Sequence, residues 1–302
     1  MATLRVVSVL PSATEIVCAL GHADQLVGRS AECDYPEVVR SLPVVMAPRQ
    51  WDSDSPSRVI DARVTAARSR GESLYQLNVD LLRELRPDML LTQDLCGVCS
   101  VTGPEVEEAC AQAGVRPTVV SLTPRTLDEV WSSIETVANA LGDAAAGTRL
   151  AGRLREDSRP TKSPPPPRVA VLEWLDPPIL SGLWTPGMIL AAGGEPVGTH
   201  HGSPGVRTTW SDLREARPAL VVVSPCSFSV DRTGQELADP SLREALAELS
   251  PTLGTFVADE AYFSRPGPRL GEGVDLLRHL ISREAWSAPM PVRTLDELGV
   301  AA

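Results

Sequence analysis

Lysine, clustered positive charge and long apolar runs are what this sequence has least of. Lys162 is its single lysine, set against many arginines, and with the high alanine and proline usage this reads as base composition rather than chemistry. A formal net charge of −11 at pH 7 without any basic cluster argues against nucleic acid or an anionic membrane as partner. Both need a positive field at the surface. No apolar run approaches the roughly 18 residues that span a bilayer. The N-terminal stretch Leu4 to Leu10 contains Arg5 and runs straight into Pro11-Ser12, unlike the core of an export signal. The expected location is therefore cytoplasmic, or extracytoplasmic if a leader precedes this sequence. Gly193-Gly194 lacks the further glycines and the Lys-Ser or Lys-Thr partner of a phosphate loop. No spacing reads as a Ser-His-Asp set or a carboxylate pair, so a non-enzymatic protein is expected.

What is present suits a globular α/β protein. The 302 residues, 43% hydrophobic, are enough for two ordinary domains. Leu4 to Leu10 is short, apolar and β-branched, and Ser12-Ala13-Thr14-Glu15 has the pattern of a capping box opening a helix that ends at Gly21. Strands follow at Leu26 to Gly28, Asp88 to Thr92 and Thr118 to Leu122. Helices are predicted over Pro56 to Arg70, Val79 to Arg86 and Pro104 to Ala113. Such alternation implies a parallel sheet covered on both faces. From Leu127 an amphipathic run extends to about Arg155, with Gly142 and Gly147 as points of interruption, and Pro164 to Pro167 makes a stiff connector. The alternation restarts at Arg168 to Trp174, passes a helix from about Pro186 to Ala192 and a strand from Ala219 to Val223, and closes with Gly254 to Val257 and Leu270 to Arg283 before a Pro-rich tail. The predicted organisation is an α/β unit over 1–125, a connector over 126–167 and a second α/β unit with tail over 168–302.

The two halves echo each other. Leu82-Arg83-Glu84-Leu85-Arg86-Pro87 precedes one strand as Leu213-Arg214-Glu215-Ala216-Arg217-Pro218 precedes another. Past those strands come Cys96 and Cys226. Cys96 and Cys99 form a Cys-x-x-Cys, and Cys33 also follows a strand end, so four of the six cysteines sit in loops at the carboxyl ends of strands, where open α/β sheets bind ligands. Cys18 and Cys110 fall within helices and read as packing residues. The quartet Cys33, Cys96, Cys99 and Cys226 suits a four-thiolate site, a 4Fe-4S iron-sulfur cluster ahead of zinc. The competing readings are buried hydrophobic thiols and thiols that touch a ligand directly. A dithiol redox enzyme using Cys96 and Cys99 is a further alternative; against it, the next helix begins at Pro104, too late to lower a thiol pKa. His200-His201 in a Gly-rich loop reads as solvated ahead of metal-binding, and Trp131 and Trp286 as packing residues.

In order along the chain, Pro11-Ser12-Ala13-Thr14-Glu15, Asp34-Tyr35-Pro36, Leu85-Arg86-Pro87-Asp88, Asp176-Pro177-Pro178 with Ser181-Gly182, Gly193-Gly194, Thr209-Trp210 and Pro266 to Arg269 resemble the vitamin B12 (cobalamin)-binding and iron-complex substrate-binding proteins of the helical-backbone (class III) type. The resemblance spans nearly the whole chain. It implies two Rossmann-like lobes with parallel sheets joined by one long helix, with a cleft holding a metal-containing ligand such as cobalamin or a ferric siderophore. It also implies that Tyr35, Trp174, Trp184, Trp210, Phe228, Tyr262 and Phe263 lie on segments near the ligand, with Arg265, and with it Arg269, available to an anionic group. Family members that feed an ABC permease are exported and dock it with a carboxylate on each lobe; here the helix opening at Thr185-Pro186-Gly187-Met188 has no acidic residue.

Overall fold

The computed structural model describes residues 3–49, 55–93, 101, 103–161, 165–283 and 292–299. The chain divides into two compact units, one of Met1–Ser53, Ala62–Pro124 and Trp131–Arg153, the other of Asp54–Asp61, Arg125–Val130 and Leu154–Ala302. Along the first part of the chain run β1 (Val6–Ser8), α1 (Pro11–Ala19), β2 (Leu26–Ser30), β3 (Val44–Pro48), α2 (Ser57–Arg70), β4 (Tyr75–Leu77), α3 (Val79–Leu85), β5 (Met89–Gln93), α4 (Gly103–Ala113) and β6 (Thr118–Leu122). Helices α5 (Leu127–Ala140) and α6 (Ala144–Asp157) follow. The first sheet has the order β4-β3-β2-β1-β5-β6 and is parallel except for β4, which pairs antiparallel with β3. Its central strands are buried on both faces. Val7, Val9, Leu90, Leu82, Leu85 and Val106 pack into one cluster, each side chain contributing about 1.5–3 kcal/mol by leaving water.

Two local expectations are corrected. The capping box at Ser12 does not form. Pro11 stands at the first helical position, so Leu10 takes the extended cap conformation and no side chain caps α1. The amphipathic run from Leu127 is not one helix but two, α5 and α6, separated at Gly142, whose φ of +81° a side chain would strain. Gly147 does not interrupt α6. Its missing side chain lets α6 approach α5, because a Cβ there would lie 2.4 Å from the Cβ of Ala138.

The later elements are β7 (Arg168–Leu175), β8 (Pro178–Leu180), α7 (Thr185–Ala191), β9 (Glu195–Pro196), β10 (Val206–Arg207), α8 (Trp210–Ala216), β11 (Leu220–Val223), α9 (Val230–Glu236), α10 (Pro240–Ala247), β12 (Gly254–Ala258), α11 (Leu270–Ser282) and β13 (Val292–Thr294). The second sheet runs β10-β8-β7-β11-β12-β13, with β9 added to β7. Strands β7, β11 and β12 form its parallel centre, in the register Val169↔Leu220↔Gly254, and β8, β10 and β13 pair antiparallel. The Pro-rich tail thus contains a strand: Val292 to Thr294 pairs with Ala258 to Phe256.

The echoed hexapeptides fold alike. Helices α3 and α8 are both seven residues long, capped by Asn78 on the Leu81 N–H and by Thr209 on the Asp212 N–H. Each ends on an arginine in the left-handed conformation, Arg86 (φ +43°) or Arg217 (φ +47°), followed by proline and a central strand. Among the described residues no helix is long and apolar enough to cross a membrane.

Candidate functional site

In the first unit the loop leaving β2 carries Cys33 and Tyr35. The guanidinium of Arg29 gathers this loop: it donates to the carbonyls of Ser30 (2.9 Å), Ala31 (3.2 Å), Cys33 (3.0 Å) and Arg40 (3.0 Å). Four acceptors on one fixed cation fold the loop back over its own strand end. Cys33 is consequently 0% exposed, and its Sγ receives the hydroxyl of Thr14 at 3.1 Å. Tyr35, two residues on, is 49% exposed. Cys96 and Cys99, with Trp286, lie outside the described residues.

In the second unit the loop leaving β11 carries Cys226 and Phe228. Ser224 N–H donates to the Leu172 carbonyl and Cys226 N–H to the Glu173 carbonyl, which fastens this loop across the carboxyl end of β7. Ser224 Oγ reaches the Asp259 carbonyl at the end of β12. Three parallel strands therefore deliver their ends to one edge. Cys226 is exposed there. Beside it the rings of Trp174 and Phe228 are 5.3 Å apart and tilted by 52°, with the Phe228 ring itself buried at 4% exposure. Trp174 is half-buried, and its Nε1 has no hydrogen-bond partner although that atom is sealed from solvent. Arg232 lies 4.3 Å over the Phe228 ring, bonds Glu236 at 3.0 Å and donates to the Ser55 carbonyl. Glu236 in turn accepts the Ser57 N–H at 2.7 Å, at the start of α2.

The remaining predicted contact residues separate into two groups. Trp184 (7% exposed) and Phe263 (1%) are in the core, and the indole N–H of Trp184 donates to the Phe263 carbonyl at 2.7 Å. They support the edge from beneath and do not stand on it. Trp210 packs half-buried against the core below α8. Tyr262 is half-buried under Arg269, 5.9 Å from its ring. Arg265 is not left for a ligand: it pairs at 2.6 Å with Glu260, both side chains nearly buried. His200 and His201 are exposed, and His201 lies against Gly187 at the start of α7. Trp131 is a core residue at 1% exposure.

Among the described residues no group of three or more His, Cys, Asp or Glu side chains is placed to hold a metal ion. The two helical thiols behave as packing groups. Burial first, and then the neighbouring Glu15, pushes the Cys18 thiol up to about 11, and burial raises that of Cys110 as well. Sequence reasoning missed Arg29, Arg232 and Glu236. Their partners are mostly backbone groups, which leave no motif.

Neither a protein-family model nor a curated protein matches this sequence. Solved structures do. A periplasmic heme-binding protein from Pseudomonas aeruginosa superposes with a TM-score of 0.67 at 20% identity, over 96% of this chain and 97% of its own. The periplasmic heme-binding protein RhuT from Roseiflexus sp. RS-1 gives 0.63 at 22% identity, over 93% and 99%. The periplasmic vitamin B12-binding protein BtuF of Vibrio cholerae gives 0.62 at 21% identity, over 92% and 96%. From end to end, this chain has the fold of the class III substrate-binding proteins.

Proposed function

We propose that this chain is a non-enzymatic binding protein for a compact organic ligand that brings its own metal, a tetrapyrrole, corrinoid or ferric siderophore, received at the carboxyl-end edge of its second sheet. The observation that carries this reading is the Trp174–Phe228 pair beside exposed Cys226, on loops fastened to the ends of three parallel strands. Such an edge offers a flat ligand the half-buried Trp174 indole, backed by the buried Phe228 ring, and one polarisable thiol. The fold supports the same reading, since similar structures are described as binding heme or vitamin B12. They are also described as periplasmic, which favours an extracytoplasmic protein delivering its ligand to an ABC permease over the cytoplasmic location expected from the sequence. Cell fractionation checks the compartment.

The test is an absorption titration of the purified chain with hemin, cyanocobalamin and a ferric hydroxamate. Saturable spectral change with one of them, weakened at least tenfold in Trp174→Ala, is expected. A protein indifferent to all three would overturn the reading. Iron, sulfide and zinc assays on anaerobically purified protein address the four-thiolate alternative. Iron with equimolar acid-labile sulfide, lost in Cys96→Ser, would replace the proposed ligand by a cluster on Cys33, Cys96, Cys99 and Cys226.

A further inference from the structure

The charge of the ligand can be read from what the arginines at this edge are doing. Every arginine of the chain lies among the described residues, and the one lysine, Lys162, is in the connector ahead of β7. The arginines on the segments that leave this edge can therefore all be placed. Three arginines belong to the segments leaving β11 and β12: Arg232 in α9, and Arg265 and Arg269 between β12 and α11. Arg232 is neutralised by Glu236 and turned onto Phe228. Arg265 is neutralised by Glu260. Arg269 lies over Tyr262.

Carboxylates outnumber these guanidiniums on the segments leaving β7, β11 and β12. Asp176, Asp231 and Asp259 stand there in addition to the two paired glutamates. Asp259 is held in place by the Ala261 N–H. Both ion pairs are largely buried, with side-chain exposures of 14% and 7% for Arg232 and Glu236, and 13% and 10% for Arg265 and Glu260. At Arg232 or Arg265 an incoming ligand carboxylate would meet a cation whose partner is already in place, and would feel that partner's charge at nearly the same distance and in poorly screening surroundings. The excess carboxylates add repulsion on top.

We infer that the ligand received at this edge carries no net negative charge: an amide-decorated corrinoid or a neutral hydroxamate complex, and not a porphyrin bearing two free carboxylates. This rests on the binding-protein reading above and narrows it. The edge discriminates by leaving an acid unpaired rather than by any contact special to the neutral ligand.

The experiment compares cyanocobalamin with hemin, by calorimetric titration of the intact chain at low and at high salt. Cyanocobalamin is expected to bind at least roughly tenfold more tightly at low salt, with an affinity that salt leaves alone. The hemin deficit should shrink as added salt screens the repulsion. Tighter hemin binding that weakens with salt overturns the inference and leaves the binding-protein reading standing; no binding of either probe removes both. Glu260→Gln removes the negative charge paired with Arg265, so hemin affinity should rise several-fold with cyanocobalamin unchanged. Asp231→Asn, at an exposed position, should move hemin the same way by less, and covers the case in which the buried variant does not fold. Hemin affinity unchanged in the folded variants overturns the inference.

Discussion

Two loops leave the carboxyl ends of two parallel sheets, each carries a cysteine, and they treat it oppositely. After β2 the chain is gathered onto Arg29 through four carbonyl groups, and Cys33 is sealed under Thr14. After β11 the chain is fastened at its start to β7 and β12 and tucks Phe228 under Arg232, yet Cys226 between them is exposed. The residue type and its place after a strand are the same. What differs is where the nearest arginine spends its donors: on its own backbone in the first unit, on a glutamate and a neighbouring segment's carbonyl in the second. A thiol's exposure is thus set by the hydrogen bonds of the loop around it, not by its position after a strand.

Removing Arg29 should break the contrast most. Arg29→Ala strands four carbonyls that a cation had satisfied, two of them in part-buried bonds, so a loss of about 2–3 kcal/mol is expected by urea denaturation. Cys33 should then become open to thiol reagents. A loss under about 0.5 kcal/mol would show that the loop holds itself.

The thiols themselves come next. In single-serine variants assayed with an aromatic disulfide at pH 8, the reaction lost with Cys226 should be faster than that lost with Cys33 by roughly a hundredfold, because reactivity follows the accessible thiolate. Cys18, with its pKa pushed up to about 11 by burial and then by Glu15, should be inert under the same conditions. Equal rates at Cys33 and Cys226 would mean that the Arg29 loop opens on the timescale of the assay.

The larger pattern was legible because it rests on periodicity. Strands such as Thr118–Leu122, and the helix–arginine–proline–strand units before β5 and β11, stand where their apolar spacing and proline punctuation put them. The misses have local causes. Strand β13 is flanked by the Pro-rich tail, and β3 has a proline at its end, so neither reads as a strand from composition. The Ser12–Glu15 pattern was outcompeted by Pro11, whose fixed φ starts the helix earlier. At the candidate site, aromatic residues were recognisable but their level was not: Trp184 and Phe263 bond each other in the core, while Trp174, of the same chemical type, reaches the edge. Arg265 looked available because its partner, Glu260, lies five residues away across a turn that only the folded loop brings together.

The paired helices α3 and α8 allow a finer comparison. Asn78→Ala and Thr209→Ala each remove one side-chain cap from a seven-residue helix, and each should cost about 1 kcal/mol. The two losses should agree within about 0.5 kcal/mol if the repeated units are energetically equivalent. A larger gap in chemical denaturation would show that similarity of sequence and backbone does not extend to stability.

The smallest effect belongs to Asp143, which caps the start of α6 with a carboxylate where α3 and α8 use the neutral side chains of Asn78 and Thr209. Its carboxylate accepts the Ala146 N–H at 3.1 Å and bonds His22 Nε2 at 3.2 Å. The Ala146 N–H first, and His22 second, hold the carboxyl below its usual range. A carboxyl whose pKa is lower in the folded chain adds stability that is complete above the unfolded value and disappears as pH falls through the folded one. Asp143→Asn should therefore flatten the decline in stability below about pH 4 while leaving the curve near neutrality almost parallel to that of the parent. Because the side chain is 37% exposed, water screens most of the gain, and the change should be smaller than that from either cap substitution. An acid decline as steep as the parent's would show that the Asp143 carboxyl is not held below its usual range in the folded chain.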